Sequence, residues 1–171
     1  MSVQENKEKI TELLKSTKKE GIKNLINYLE KNNFFTLKAS FSYHGNYEGG
    51  SAEHCLSIYN LYNKLYSNLF KLNFEEIKNE IIIASFLHDL CKLDYRLSYS
   101  HASLSLKIIE DFITLNSLEK NLIKYHMGMY KLHKEYSYNE LKNAFNDKRI
   151  KLFYFCDDLS AQFLEVKKWF S

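Results

Sequence analysis

A chain of 171 residues that is 45% apolar and 26% charged carries enough apolar material for one hydrophobic core, which excludes a disordered chain and predicts a single domain. The formal charge of +3 comes from lysines spread along the sequence, with Arg96 and Arg149 as the only arginines, so nucleic acid is not an expected partner while small acidic ligands fit. The start "MSVQENKEKITELL" has no apolar signal core, no apolar run is long enough for a bilayer, and Cys55, Cys91 and Cys156 form no CxxC pair; together these predict a soluble cytoplasmic protein without a membrane partner.

With no proline and five glycines, helices can run almost without breakers, and the expected fold class is all-α. Ile10, Leu13 and Leu14 predict a first amphipathic helix, and Ile22, Leu25, Ile26 and Leu29 a second, with Gly21 near the break. Residues 1–33 are thus N-terminal helices. The period is then lost in 34–50, "FFTLKASFSYHGNYEGG", where glycines cluster into the principal loop. Helical spacing resumes in "SAEHCLSIYNLYNKLYSNLF", with Ser51 as the expected N-cap and His54 in the first turn. Another helix is predicted to begin near Asn73 and to end around His88, Asp89 and Lys92, before the polar connection "DYRLSYS". Further helices follow in "ASLSLKIIEDFITL", in "SLEKNLIKYHMG" with Gly128 as C-cap, in "YNELKNAF" and in a long C-terminal "KRIKLFYFCDDLSAQFLEVKKWF". Residues 51–168 form the helical core, and no repeat or linker divides the chain.

The segment "IIIASFLHDLCKLD" poses a physical problem, because it is built for burial yet places His88 beside Asp89. A buried charge is costly unless it is paired, hydrogen-bonded or coordinated to a metal. Partners occur on other predicted helices: His54 begins one, and Asp158 lies on the last, with Leu159, Phe163 and Leu164 expected on its buried side. Imidazoles and carboxylates meeting at one interior point suit Mn, Fe, Co, Ni or Zn better than Mg. A divalent transition metal is therefore the expected cofactor.

The ordered set of His54 in "GGSAEHCLSIY", His88 and Asp89 in "FLHDLCKLD" and Asp158 in "YFCDDLSAQFLE" resembles the HD-domain metal-dependent phosphohydrolases, more closely the small single-domain type found in phages and bacteria. The resemblance runs from about Gly21 to Glu165. It implies a compact HD-like helical bundle with the metal site in its centre, and His54, His88, Asp89 and Asp158 as ligands. It also implies that His101 in "SYSHASLS" and His126 in "YHMGMY" hold a second ion bridged by Asp89, so that one or two ions bind. The chain departs from the pattern where Cys91 replaces a glycine after the doublet, where "HASLS" replaces an "HGEKS"-like stretch, and where Asp157-Asp158 replaces an Ala-Asp pair. Asp157 competes with Asp158 as the ligand, and Asp158 is preferred because it aligns better with the following "LSAQFLE".

In the loop "YHGNYEGG", His44 and Tyr47 are candidate substrate contacts, and His44 is also a candidate proton donor to a leaving group. Glu48 and Glu53 are weaker candidates for orienting a ligand histidine, and His133 is expected to be solvated. Lys92 is expected to neutralise a phosphoryl oxygen, with Asp89 and His44 beside it in the catalytic set. The expected activity is hydrolysis of a nucleotide or another small phosphate ester, whether as nucleotidase, triphosphohydrolase or phosphodiesterase. The alternative is a non-catalytic nucleotide-binding or sensor protein on the same scaffold.

Overall fold

The apolar repeats fold as helices throughout. A computed structural model describes residues 2–40, 44–93 and 101–164, and in it they form α1 (Val3–Ser16), α2 (Ile22–Lys31), α3 (Gly50–Lys64), α4 (Lys78–Leu87), α5 (His101–Glu110), α6 (Ser117–Lys124), α7 (Tyr138–Ala144) and α8 (Lys148–Leu159). No strand occurs among the described residues, so the fold is all-α as the sequence predicts. Wide π-turns prolong α3 through Leu65–Leu69 and α8 through Ser160–Leu164. Among the described residues no helix is long and apolar enough to cross a membrane.

Three helices begin with the same reciprocal cap. Ser2, Asn116 and Ser137 each accept a hydrogen bond from the backbone N–H three residues on, and Glu5, Glu119 and Glu140 each accept one from the cap backbone N–H. Each such cap satisfies donors that a helix start leaves open, for about 1 kcal/mol. Packing supplies the rest: α3 and α4 lie side by side, with α1, α6 and α8 against them, and Leu14, Leu29, Leu56, Ile82, Leu122 and Phe153 fill the space between. In α4 every residue from Ile81 to Leu87 is buried, so the last two turns of this helix are enclosed on all sides and occupy the centre of the bundle. His88 and Asp89 follow directly from its end, which is why they are buried.

Several boundaries differ from the sequence expectation. Helix α3 starts at Gly50 after the left-handed Gly49, so Ser51 is inside the helix and His54 opens its second turn. Asn73 caps a 3-10 turn, Phe74–Glu76, and α4 begins only at Lys78. Helix α6 stops at Lys124, and Gly128 instead opens the 3-10 turn Gly128–Lys131, where the Tyr154 ring leaves no space for a side chain. The connection "DYRLSYS", residues 41–43 of the loop, the side chain of Leu164 and the C-terminal stretch after 164 lie outside the described residues.

The loop before α3 is folded onto itself by backbone bonds. Gly45 O accepts from Ala39 N at 3.0 Å, Thr36 O from Gly49 N at 3.1 Å, and Leu37 O from Ser51 N at 2.9 Å. A Cβ on Gly50 would lie 2.0 Å from Gly45 O, so only glycine permits this closure. Gly50→Ala is therefore expected to lower the unfolding free energy by about 1–3 kcal/mol in urea denaturation, the usual cost of overpacking. An unchanged midpoint would show that the loop rearranges freely around the added methyl.

Candidate metal centre

Two helix ends present histidines in the same way. A helix leaves its last four carbonyls without an internal partner. At the end of α4 the Nδ1–H of His88 donates to Ser85 O at 3.1 Å, and after α6 the Nδ1–H of His126 donates to Ile123 O at 2.6 Å. A carbonyl only accepts, so Nδ1 carries a proton in each ring, and the neutral form of either imidazole presents its lone pair at Nε2. Both Nε2 atoms are buried, and neither has a hydrogen-bond partner among the described residues. Orphaned polar atoms in a core are costly unless a ligand takes them up.

Asp89 lies between these two rings, nine-tenths buried. Its Oδ1 is 2.8 Å from His101 Nε2 and 3.5 Å from His126 Nε2, whereas its Oδ2 faces Lys92 Nζ at 2.5 Å and His88 Nε2 at 3.5 Å. Burial alone would raise the carboxyl, but the charge of Lys92 and the hydrogen bond from His101 hold it well below the usual carboxylate range. Burial likewise opposes a charge on His101, and its bond to Asp89 outweighs that and lifts the imidazole to about 10. Lys92 also donates to Ala39 O at 2.6 Å, which ties the folded loop to the Asp89 carboxylate.

His54 enters from α3 and meets α8, with its Nε2 3.0 Å from Oδ1 of Asp157. One turn further along both helices, Ser57 Oγ and Ser160 Oγ are 3.2 Å apart, which fixes their relative register. The preference for Asp158 is thereby corrected. Leu152, Phe153, Cys156 and Ser160 form the buried stripe of α8 and its π-turn, and Asp157 belongs to that side. Leu159 and Phe163, expected to be buried, are exposed at 37% and 57%. Asp158 turns outward and accepts from Tyr130 Oη at 3.3 Å. For Asp157, burial would raise the carboxyl, but the hydrogen bond from His54 brings it down to about 2.

The loop brings His44 to the same place, its ring 4.9 Å from that of His54. Tyr47 is 46% exposed and donates its hydroxyl to Glu53 Oε2 at 2.7 Å, so Glu53 braces the loop and does not orient a ligand histidine. Glu48 and His133 are exposed. One positioning residue escaped the sequence: Glu135 accepts from the backbone N–H groups of His101 and Ala102 at 2.8 and 3.4 Å, capping α5 and aiming His101 at Asp89.

The donor atoms form three overlapping sets, His54 with His88 and Asp157, His88 with Asp89 and His126, and Asp89 with Cys91 and His101; within each set they lie within 4.8 Å of one another. These sets share His88 and Asp89, so they make one connected cluster that could hold a metal ion. The residues fit such an ion, since they offer orphaned imidazole lone pairs, ionised carboxylates and second-nitrogen bonds to backbone carbonyls that orient the rings. Comparison with protein-family models, curated proteins and solved structures finds no match, and the cluster is therefore argued from its own geometry.

Asp157→Ala is expected to strip most of the tightly bound divalent metal from the purified protein while Asp158→Ala leaves it in place, as read by elemental analysis. The opposite pattern would restore the other aspartate. In metal-free protein, Asp157 has a folded value of about 2 against an ordinary 3.8. Its contribution to stability is thus complete above about pH 4 and disappears as the pH falls toward 2. Asp157→Asn should flatten that acid limb by about 2 kcal/mol in chelator-treated samples. Superimposable limbs would mean that His54 does not stabilise this carboxylate.

Proposed function

We propose that this chain is a divalent-metal-dependent phosphohydrolase of the HD type, acting on a nucleotide or another small phosphate ester. The observation that carries the reading is the pair of buried, unpartnered Nε2 atoms of His88 and His126 on either side of an ionised Asp89, with His54 and Asp157 adjoining. Such an arrangement is costly for a core that holds no ion and well matched to one that does. His54, His88, Asp89 and Asp157 would hold the first ion, and Asp89, His101 and His126 the second. The two Asp89 oxygens face different partners, which supports a bridging role for this carboxylate.

Mixed nitrogen and oxygen donors favour Mn, Fe, Co, Ni or Zn. When bound, such ions supply Lewis-acid charge for phosphoryl oxygens and lower the pKa of water at neutral pH. The chain's own residues supply the rest. His44 sits beside His54, where it can hydrogen-bond a phosphate oxygen or give a proton to the departing oxygen. Lys92 donates to Asp89 and to Ala39 O, so it positions the carboxylate first; among the described residues its third N–H has no acceptor and can serve a phosphoryl oxygen. The Tyr47–Glu53 bond holds the loop against the start of α3 and so keeps His44 at the cluster.

A nucleotide panel assayed with added Mn tests the reading. His88→Ala and Asp89→Ala are expected to abolish metal-dependent phosphate release with helical content by circular dichroism retained. His44→Ala is expected to lower kcat/KM by about 10-fold at unchanged metal content, the loss typical of one hydrogen bond to a charged group. Full activity in Asp89→Ala would end the hydrolase reading.

A further inference from the structure

Cys91 has no part in the chemistry above. It follows Asp89 by two residues, in the 3-10 turn Leu90–Leu93, and is buried. Its backbone N–H donates to Ser105 Oγ at 3.0 Å, which pins the turn to α5. In that position its Sγ, a carboxylate oxygen of Asp89 and a ring nitrogen of His101 lie within 4.8 Å of one another. Three donors at this spacing match the three protein ligands of an open zinc-type site. His126 lies on the other side of the same carboxylate, its Nε2 3.5 Å from Asp89 Oδ1, and its donors group with those of His88 instead of Cys91.

The other cysteines provide a contrast. Cys156 sits in the hydrophobic core with Phe153 and Leu152, and burial pushes its thiol up to about 12, as for an inert apolar side chain. Cys55 is buried in α3 within the same apolar cluster. Cys91, by contrast, is set against a carboxylate and an imidazole.

We propose that Cys91 joins Asp89 and His101 at the second ion position, making it a sulfur-containing site that prefers a thiophilic divalent ion of the zinc type to manganese. The proposal rests on the reading of the cluster as a metal centre. On coordination the Cys91 thiol loses its proton to solvent, and the thiolate donates an electron pair to the ion; nothing is oxidised or reduced. The first position, with two imidazoles and two carboxylates, is harder by comparison. The two positions then differ in metal preference, since thiolate selects softer ions than carboxylate does.

Titration of metal-stripped protein with Co2+ tests this. The expected result is a near-ultraviolet sulfur-to-cobalt charge-transfer band alongside the visible ligand-field bands, bleached by added Zn2+. Cys91→Ser should remove the charge-transfer band, retain ligand-field absorption from the first position, and weaken Zn2+ binding at the second by at least about 10-fold, as loss of a ligand should cost no less than loss of an outer-shell partner. Cys55→Ala and Cys156→Ala should keep the band, which assigns it to Cys91 by elimination even where Cys91→Ser does not fold. Ligand-field bands without charge transfer in the unaltered protein, or a charge-transfer band that survives Cys91→Ser or is lost in either other variant, would overturn the proposal and leave the metal centre standing. Absence of any Co2+ binding would overturn both.

Discussion

The Asp89 carboxylate is ionised in a place from which water is almost excluded, and the surrounding structure is arranged to permit it. Burial by itself would drive the group toward its neutral form. The charge is kept because Lys92 and His101 approach its two oxygens from different sides, with His88 and His126 beyond them. Each partner comes from a different element, and each element is held by its own local physics. The buried end of α4 carries Asp89 to the centre, Glu135 caps α5 so that His101 points inward, and the folded loop gives Lys92 its second acceptor at Ala39 O. Removing any one of these leaves a buried charge incompletely compensated, which is among the more destabilising changes a core can suffer.

A second device recurs at the ends of α4 and α6. Helix termination leaves orphan carbonyls, and here each is satisfied by an imidazole one turn further on. The backbone bond consumes the Nδ1 proton and fixes the ring, so secondary structure decides which nitrogen is left to coordinate. The fold thus pre-organises the lone pairs, and it does so with main-chain groups that no side-chain substitution removes.

Much of this was legible in the sequence because its signals are periodic or are chemical misfits. Helical spacing marked the elements, and a His-Asp doublet in an apolar run marked a site that needed partners. His54 could be brought to it by its place near a helix start, whereas His101 and His126 were reached through the resemblance to HD-domain proteins. The choice between Asp157 and Asp158 was less accessible, because adjacent residues differ by about 100° around a helix and the outcome turns on which stripe is buried. Leu159 and Phe163 are apolar yet exposed, and they pointed to the wrong face; Phe153, Cys156 and Ser160 would have pointed to the right one. Glu135 was illegible for another reason, since it acts 34 residues from the helix start it caps. Ser51 misled at α3 because the left-handed Gly49 caps the helix two residues earlier.

The most direct test of the metal-centre account is anomalous diffraction from crystals grown in excess Mn2+, recorded on both sides of the manganese absorption edge. The account predicts a strong anomalous peak enclosed by His54, His88, Asp89 and Asp157, with a second beside Asp89 toward His101 and His126. A cluster without anomalous density, with the His88 and His126 Nε2 atoms hydrogen-bonded to water instead, would contradict it.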